Sequence, residues 1–226
     1  MNRLTLVTLA LLGTATLHAE LFTEHFKDGV VKSQIEYKDG TRTDTAEGIK
    51  DGLEKVYYNT GQLAFTVTNK DGKREGAMDW YDREGKHLEM IHFQKGKRHG
   101  LNIIFYANGE LRIEVNYIND NKEGPEKYYF STGRLASVVT YKNGRKEGLQ
   151  KEYNEDGTLN NEVMYVHGYK EGERRWYDKK GKVIQTETYK MDRPINVMKQ
   201  VQAKKPDATL KALEGLDFNP NNRKAD

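Results

Sequence analysis

Through Leu111-Arg112-Ile113-Glu114-Val115-Asn116-Tyr117 the odd positions are apolar and the even ones polar. Leu159-Asn160-Asn161-Glu162-Val163-Met164-Tyr165 is a weaker copy of that stretch two repeats later. Alternation with a period of two predicts strands that show one face to a core and the other to water. A second strand precedes each such run, as in Leu101-Asn102-Ile103-Ile104-Phe105-Tyr106. Between the two lies a turn glycine, which supplies the positive φ that tight hairpins demand. The chain is thus predicted to be a string of antiparallel hairpins.

The hairpins recur every 24 residues. The aromatic positions Tyr57, Tyr81, Phe105, Tyr129, Tyr153 and Tyr177 keep that step of 24, as do the turn glycines from Gly61 to Gly181 and the opening glycines from Gly52 to Gly172. A second turn falls at Gly72, Gly96, Asp120, Gly144, Gly168 and Asp192. An earlier, degenerate unit (Gly29, Val31, Ile35, Tyr37, Gly40) matches the next at a step of 32, with the polar, loop-like stretch from Thr41 to Gly48 taking up the difference. Seven units between residues 22 and 194 result. A lone hairpin is marginal in water, so stability must come from stacked neighbours. The predicted fold class is all-β: an elongated solenoid of consecutive hairpins, about 65 Å long if fourteen strands lie ~4.8 Å apart.

An even step places equivalent residues on the same side in every unit. One predicted face carries the aromatic positions with Leu63, Leu111, Leu135, Leu159, Val67, Ile91, Val115, Val139 and Val163, and is read as the packing face. The other ladder, Val56, Trp80, Ile104, Tyr128, Glu152 and Trp176, is irregular. Aromatic and Met side chains are enriched in interface cores. Tyr58, Met78, Trp80, Ile104, Tyr106, Tyr128 and Trp176 are therefore the candidate partner-binding residues. The bland alternative is that they cover the second side of a thin sheet or pack on the C-terminal tail. The corners repeat basic-basic-acidic-Gly, as in Lys73-Arg74-Glu75-Gly76, which suits a solvated turn or an anionic partner surface.

Both ends depart from the repeat. Arg3, the apolar run Leu4–Leu12 and the small residues before Glu20 read as a secretory signal, residues 1–19, cleaved after Ala19. The run is far shorter than the ~20 residues that span a bilayer. The expected location is periplasmic or secreted. After Pro194, Val197, Met198 and Val201 fit one face of a short helix. Asp207 could cap a second helix with Leu210, Leu213 and Leu216 on one side. Residues 195–226 are thus expected to be a helical cap and a loose tail.

Composition narrows the function. Hydrophobic residues make up 36% and charged residues 31%, which is polar for a thick core. The 14 tyrosines and 4 prolines argue against disorder. A net charge of +3 gives no reason to expect nucleic acid. With no cysteine, disulfides, thiolate metal sites and cysteine nucleophiles are excluded. Ser33, Ser131 and Ser137 lie in no nucleophile elbow. His25, His87, His92, His99 and His167 occupy unrelated repeat positions without metal-ligand spacing, and no phosphate loop is present. Catalytic residues, metal sites and cofactors are all expected to be none, and the chain is read as a non-enzyme.

The pattern Tyr-x-x-x-Gly-x-Leu … Tyr-x-x-Gly-Lys-x-x-Gly in residues 129 to 148 resembles the bacterial variant of the MORN repeat, over about residues 25 to 194. The resemblance implies a hairpin solenoid without catalytic residues, and many members are described as antitoxins or immunity proteins. The chain lacks the Gly-x-Gly strand ending of the eukaryotic form, so the phospholipid binding of that form is not carried over. The reading is an exported protein-binding repeat protein, an immunity or antitoxin protein whose partner is a toxin or effector enzyme. An envelope scaffold is the alternative, and peripheral binding to an anionic membrane a lesser one.

Overall fold

A computed structural model describes residues 5–7, 19–43 and 46–197. The chain divides into two compact units, the first ending at Gly100 and the second beginning at Leu101. The first holds β1 (Thr5–Val7), β2 (Ala19–His25), β3 (Val31–Lys38), β4 (Arg42–Thr43), β5 (Ala46–Glu47), β6 (Lys50–Tyr57), β7 (Leu63–Lys70), β8 (Lys73–Tyr81) and β9 (His87–Gln94). Strand β10 (Lys97–Phe105) carries the chain into the second. There follow β11 (Leu111–Ile118), β12 (Asn121–Lys122), β13 (Gly124–Tyr129), β14 (Leu135–Lys142), β15 (Arg145–Lys146), β16 (Gly148–Tyr153), β17 (Leu159–Val166), β18 (Tyr169–Tyr177), β19 (Val183–Lys190) and β20 (Arg193–Val197). No described residue is helical.

The pairing is antiparallel between chain neighbours: β2 with β3, β3 with β6, and β6 to β9 in succession in the first unit. In the second, β11 pairs β13, and β13, β14, β16, β17, β18, β19 and β20 follow in order. The hairpin architecture expected from the period is what each unit shows. The stretch expected to be a loop, Thr41 to Gly48, instead holds the small hairpin β4–β5, with Arg42 opposite Glu47 and Thr43 opposite Ala46. Its Arg42 guanidinium lies 4.7 Å from the Tyr37 ring centre and 5.1 Å from that of Phe22, so the insertion covers aromatic surface of the degenerate unit.

Two kinds of turn alternate. At the hairpin tip the Gly61 N–H donates to the Tyr58 carbonyl at 2.9 Å and the Tyr58 N–H to that of Gln62 at 2.8 Å. The same pair of bonds recurs at Phe26, Asp82, Tyr106, Phe130, Asn154 and Asp178. At the corner two successive residues take positive φ, as Asn143 (50°) and Gly144 (77°) do, the geometry of a type I′ turn. Each corner then bonds to the one before: the Gly144 N–H donates to the Lys122 carbonyl, that of Gly168 to Lys146 and that of Asp192 to Lys170. The acidic residue of the corner motif adds a second rung. Glu75, Glu123, Glu147 and Glu171 accept the N–H of Lys95, Asn143, His167 and Met191 respectively.

Six hairpins contain a bulge where the register slips by one residue, between Val56 and Tyr57 in β6 and at the equivalent places in β2, β8, β13, β16 and β18. A bulge sets two residues opposite one and bends the strand. Ala64 and Ala136 occupy the extra position and are fully buried. The slip decides the faces. Leu63 lies opposite Tyr57, whereas Val67 lies opposite Glu54 and Met78. Leu63 and Val67, expected on one face from simple alternation, therefore stand on opposite faces.

The C-terminal reading changes at its first step. Val197, assigned from the sequence to a helix face, ends β20 and pairs with Glu187. Pro194, which lacks an N–H, sits in this strand beside a register slip, where a proline is tolerated. The remainder of the expected cap, and most of the expected signal segment, lies outside the described residues, although Thr5–Val7 runs antiparallel to Leu21–Thr23.

Candidate binding face

The inner face of the sheet is apolar and closed. In the first unit Val67, Met78, Trp80, Ile91 and Phe93 form one cluster, with Phe65 and Leu88 against it. In the second, Ile104, Ile113, Val115 and Tyr117 form another, with Tyr128 against it. Three candidate partner-binding residues are therefore core: Met78 is 0% exposed, Ile104 5% and Trp80 6%. The others are also committed. The Tyr58 hydroxyl donates to the Tyr81 carbonyl at 2.8 Å and that of Tyr106 to the Tyr129 carbonyl at 2.7 Å, each tying a tip to the next hairpin. Tyr128 packs at the core edge, and burial pushes its phenol well above the usual tyrosine range. Trp176 is half-buried under the Arg174 guanidinium, 4.8 Å from its ring. Met78, Trp80 and Ile104, chosen for contact, thus belong to the core, whereas Tyr58, Tyr106, Tyr128 and Trp176 stay half-buried.

The corner cations divide into two columns. Arg74, Lys122, Lys146 and Lys170 lie over the rings of Phe93, Tyr141, Tyr165 and Tyr189 at 4.8 to 5.3 Å. Lys50 and Lys122 also pair with the buried carboxylates of Glu54 and Glu126. Arg74 is exposed, whereas Lys50, Lys122, Lys146 and Lys170 are half-buried, and burial lowers the Lys146 pKa from its ordinary value. The neighbouring column, including Lys73, Lys97 and Arg145, is left on the exposed corner.

The outer face is where a partner can reach. The aromatic ladder that was expected to pack lies here, half-buried, and its hydroxyls bridge strands: Tyr57 to Gln34 at 2.7 Å and Tyr177 to Glu162 at 2.6 Å. In the second unit Leu149 stands directly opposite Met164, and Val166 opposite Tyr169. Met164 and Val166 are two residues apart on one strand, so the four side chains share a face. All four are exposed, Met164 at 40% and Tyr169 at 48%. The flanking corners carry exposed cation pairs, Lys142 opposite Arg145 and Lys190 opposite Arg193. The result is a small apolar patch with basic residues on both sides. The signal for it was in the sequence. Met164 stands in a column otherwise held by Thr68, His92, Asn116, Thr140 and Thr188, and Tyr169 in one held by Lys73, Lys97, Asn121, Arg145 and Arg193. An apolar residue in a polar column departs from the repeat without serving the core.

A depression of about 370 Å³ in the first unit is lined by Glu36, Asp39, Asp51 and Glu75 together with Lys38 and Lys70. Glu36 accepts the Leu53 N–H at 2.6 Å, Glu75 that of Lys95 at 2.8 Å, and Lys38 pairs with Asp71 at 3.0 Å. Among the described residues no group of three or more His, Cys, Asp or Glu side chains is placed to hold a metal ion.

Five stretches, residues 50–70, 98–119, 122–143, 146–167 and 170–191, match the MORN repeat variant family. These hairpins are MORN-variant repeats. The hairpin β8–β9 is not among the matched stretches, yet it has the same tip and corner bonds as its neighbours. MORN repeats are a non-catalytic type that serves to bind proteins or membranes. No curated protein matches the chain.

Proposed function

We propose that this MORN-variant chain is exported to the periplasm and acts there as an immunity or antitoxin protein, binding a toxin or effector enzyme through the outer face of its second unit. The carrying observation is the patch of Leu149, Met164, Val166 and Tyr169 between two cation pairs. The inner face is closed by its own packing, and the corner carboxylates are bonded within the fold. The patch suits a protein surface that offers an apolar anchor ringed by carboxylates, because charge complementarity speeds encounter and suppresses wrong partners. The leader-like N-terminus supports export, and the family resemblance supports neutralisation rather than catalysis.

The test is survival. A strain lacking the gene should die when a toxin encoded beside it is delivered to the periplasm. The wild-type chain should rescue it, whereas the doubly substituted Met164→Asp, Val166→Asp chain should not, at equal export and an unchanged melting temperature. Equal survival of the deletion and parent strains with every neighbouring toxin would end the immunity reading. Rescue by both chains would move the contact off this face. Binding of the purified chain to anionic vesicles at low salt, lost as salt is raised, would instead favour the membrane reading.

A further inference from the structure

Sulfur chemistry in this chain rests on thioethers alone. The sequence has six methionines and no cysteine, so a two-electron oxidant such as a peroxide meets no thiol, the group it would otherwise attack first. Among the described residues the methionines differ in access. Met78 is 0% exposed and stands between Val67 on one neighbouring strand and Ile91 on the other. Met90 is half-buried. Met164 is 40% exposed and Met191 61%. The strand register accounts for Met164. It lies opposite Leu149 on β16, but the slip between Val163 and Tyr165 leaves it without a counterpart on β18. A strand neighbour flanks it on one side, and the other stays open to water.

Of the two exposed thioethers, Met164 belongs to the patch with Leu149, Val166 and Tyr169, whereas Met191 sits in a corner turn with φ at 50°. A thioether suits an apolar contact because it is flexible and polarisable. Oxidation reverses this. The sulfur attacks one peroxide oxygen, the O–O bond breaks and an S–O bond forms. The proton left on the transferred oxygen passes to the departing hydroxide, which leaves as water. Sulfur is oxidised by two electrons and the peroxide reduced by two. The sulfoxide is polar and chiral, and its oxygen accepts hydrogen bonds. Against an apolar anchor that oxygen would be buried without a donor, which is costly. We infer that Met164 is a redox modification site: as a thioether it completes the patch, and as a sulfoxide it releases the partner until a reductase restores the sulfur. The inference rests on the patch being the contact surface.

Two measurements test it. The purified full-length chain is treated with hydrogen peroxide, quenched at intervals and mapped by peptide mass. Met164 and Met191 should each gain one oxygen first, with Met78 more than about tenfold slower, because its sulfur is reached only when the core opens. Met164 staying reduced while Met191 oxidises, or oxidising no faster than Met78, would overturn the inference. The second measurement is the survival assay, with glutamine standing in for the sulfoxide as a polar side chain of similar length. Met164→Gln should cut rescue by about tenfold, the scale for spoiling a central interface side chain. Met191→Gln should leave rescue unchanged, both chains being compared at equal export and melting temperature. Full rescue by Met164→Gln, where the Met164→Asp, Val166→Asp chain fails, would keep the contact and remove the switch. Full rescue by both would remove the contact and the switch with it. Equal loss from Met164→Gln and Met191→Gln would overturn the assignment to Met164.

Discussion

At the scale of single residues, the side chains with the greatest interface-like character turn out to hold the fold. Met78 is packed between Val67 and Ile91 with no exposure. Met78→Ala should therefore destabilise by about 2–5 kcal/mol, the range for deleting a buried Met, Leu or Ile side chain. Urea denaturation would check this, and a loss under 1 kcal/mol would contradict the core assignment. The identity of each residue in the repeat was legible from the sequence; its face was not. The bulge beside Ala64 leaves no mark on the alternation of apolar and polar positions, because it adds a residue without altering the spacing between units. Ala64 and Ala136 are fully buried at the extra position, but Leu88, Asn160 and Ile184 take the same place in their hairpins, so residue size gives no consistent clue to it.

At the scale of the element, the corner is the joint of the fold. Its motif of two basic residues, Glu and Gly looked like a solvated turn, yet only the first cation is simply exposed. The second covers a ring, the Glu receives an N–H from the next corner, and the Gly sits where the strand register slips. Spacing revealed the corner, but this division of labour depends on which strand lies alongside, and that is tertiary information. The type I′ geometry gives a further expectation. Lys95 holds φ at 52°, where an unbranched side chain is strained and Asn is tolerated. Lys95→Asn should gain up to about 1 kcal/mol while keeping the bond from its N–H to Glu75. Thermal unfolding of the variant would show it as a rise in Tm, and a fall would mean that the lysine side chain itself supports the corner.

For the whole molecule, polar groups in the interior set how stability depends on pH. Glu126 is buried with the Lys122 ammonium, and the phenols of Tyr128 and Tyr141 bond to it. Burial first, and the Glu126 charge second, raise both phenols far above their ordinary value of 10. A raised folded pKa means stability that is complete below pH 10 and drains away as the unfolded chain ionises above it. Lys146, lowered by burial from its ordinary 10.5, works in the opposite sense, but only up to that value. The two phenols outweigh the one amine, so urea midpoints should fall between pH 9.5 and 11.5, by a slope that Tyr141→Phe makes shallower. A midpoint that is flat or rises over that range would show that these rings are not held neutral in the folded protein.

The corner rungs carry one last consequence. The Gly144, Gly168 and Asp192 N–H groups each reach 22 residues back, to the carbonyls of Lys122, Lys146 and Lys170, so the same two repeat positions are joined each time. An in-frame loss of residues 130–153 would join Tyr129 to Asn154, a strand end to a tip of the same kind as the one removed. The shortened chain would find every corner donor matched again. A gene of this design can therefore lengthen or shorten by recombination between its own repeats, and its product need not relearn how to fold.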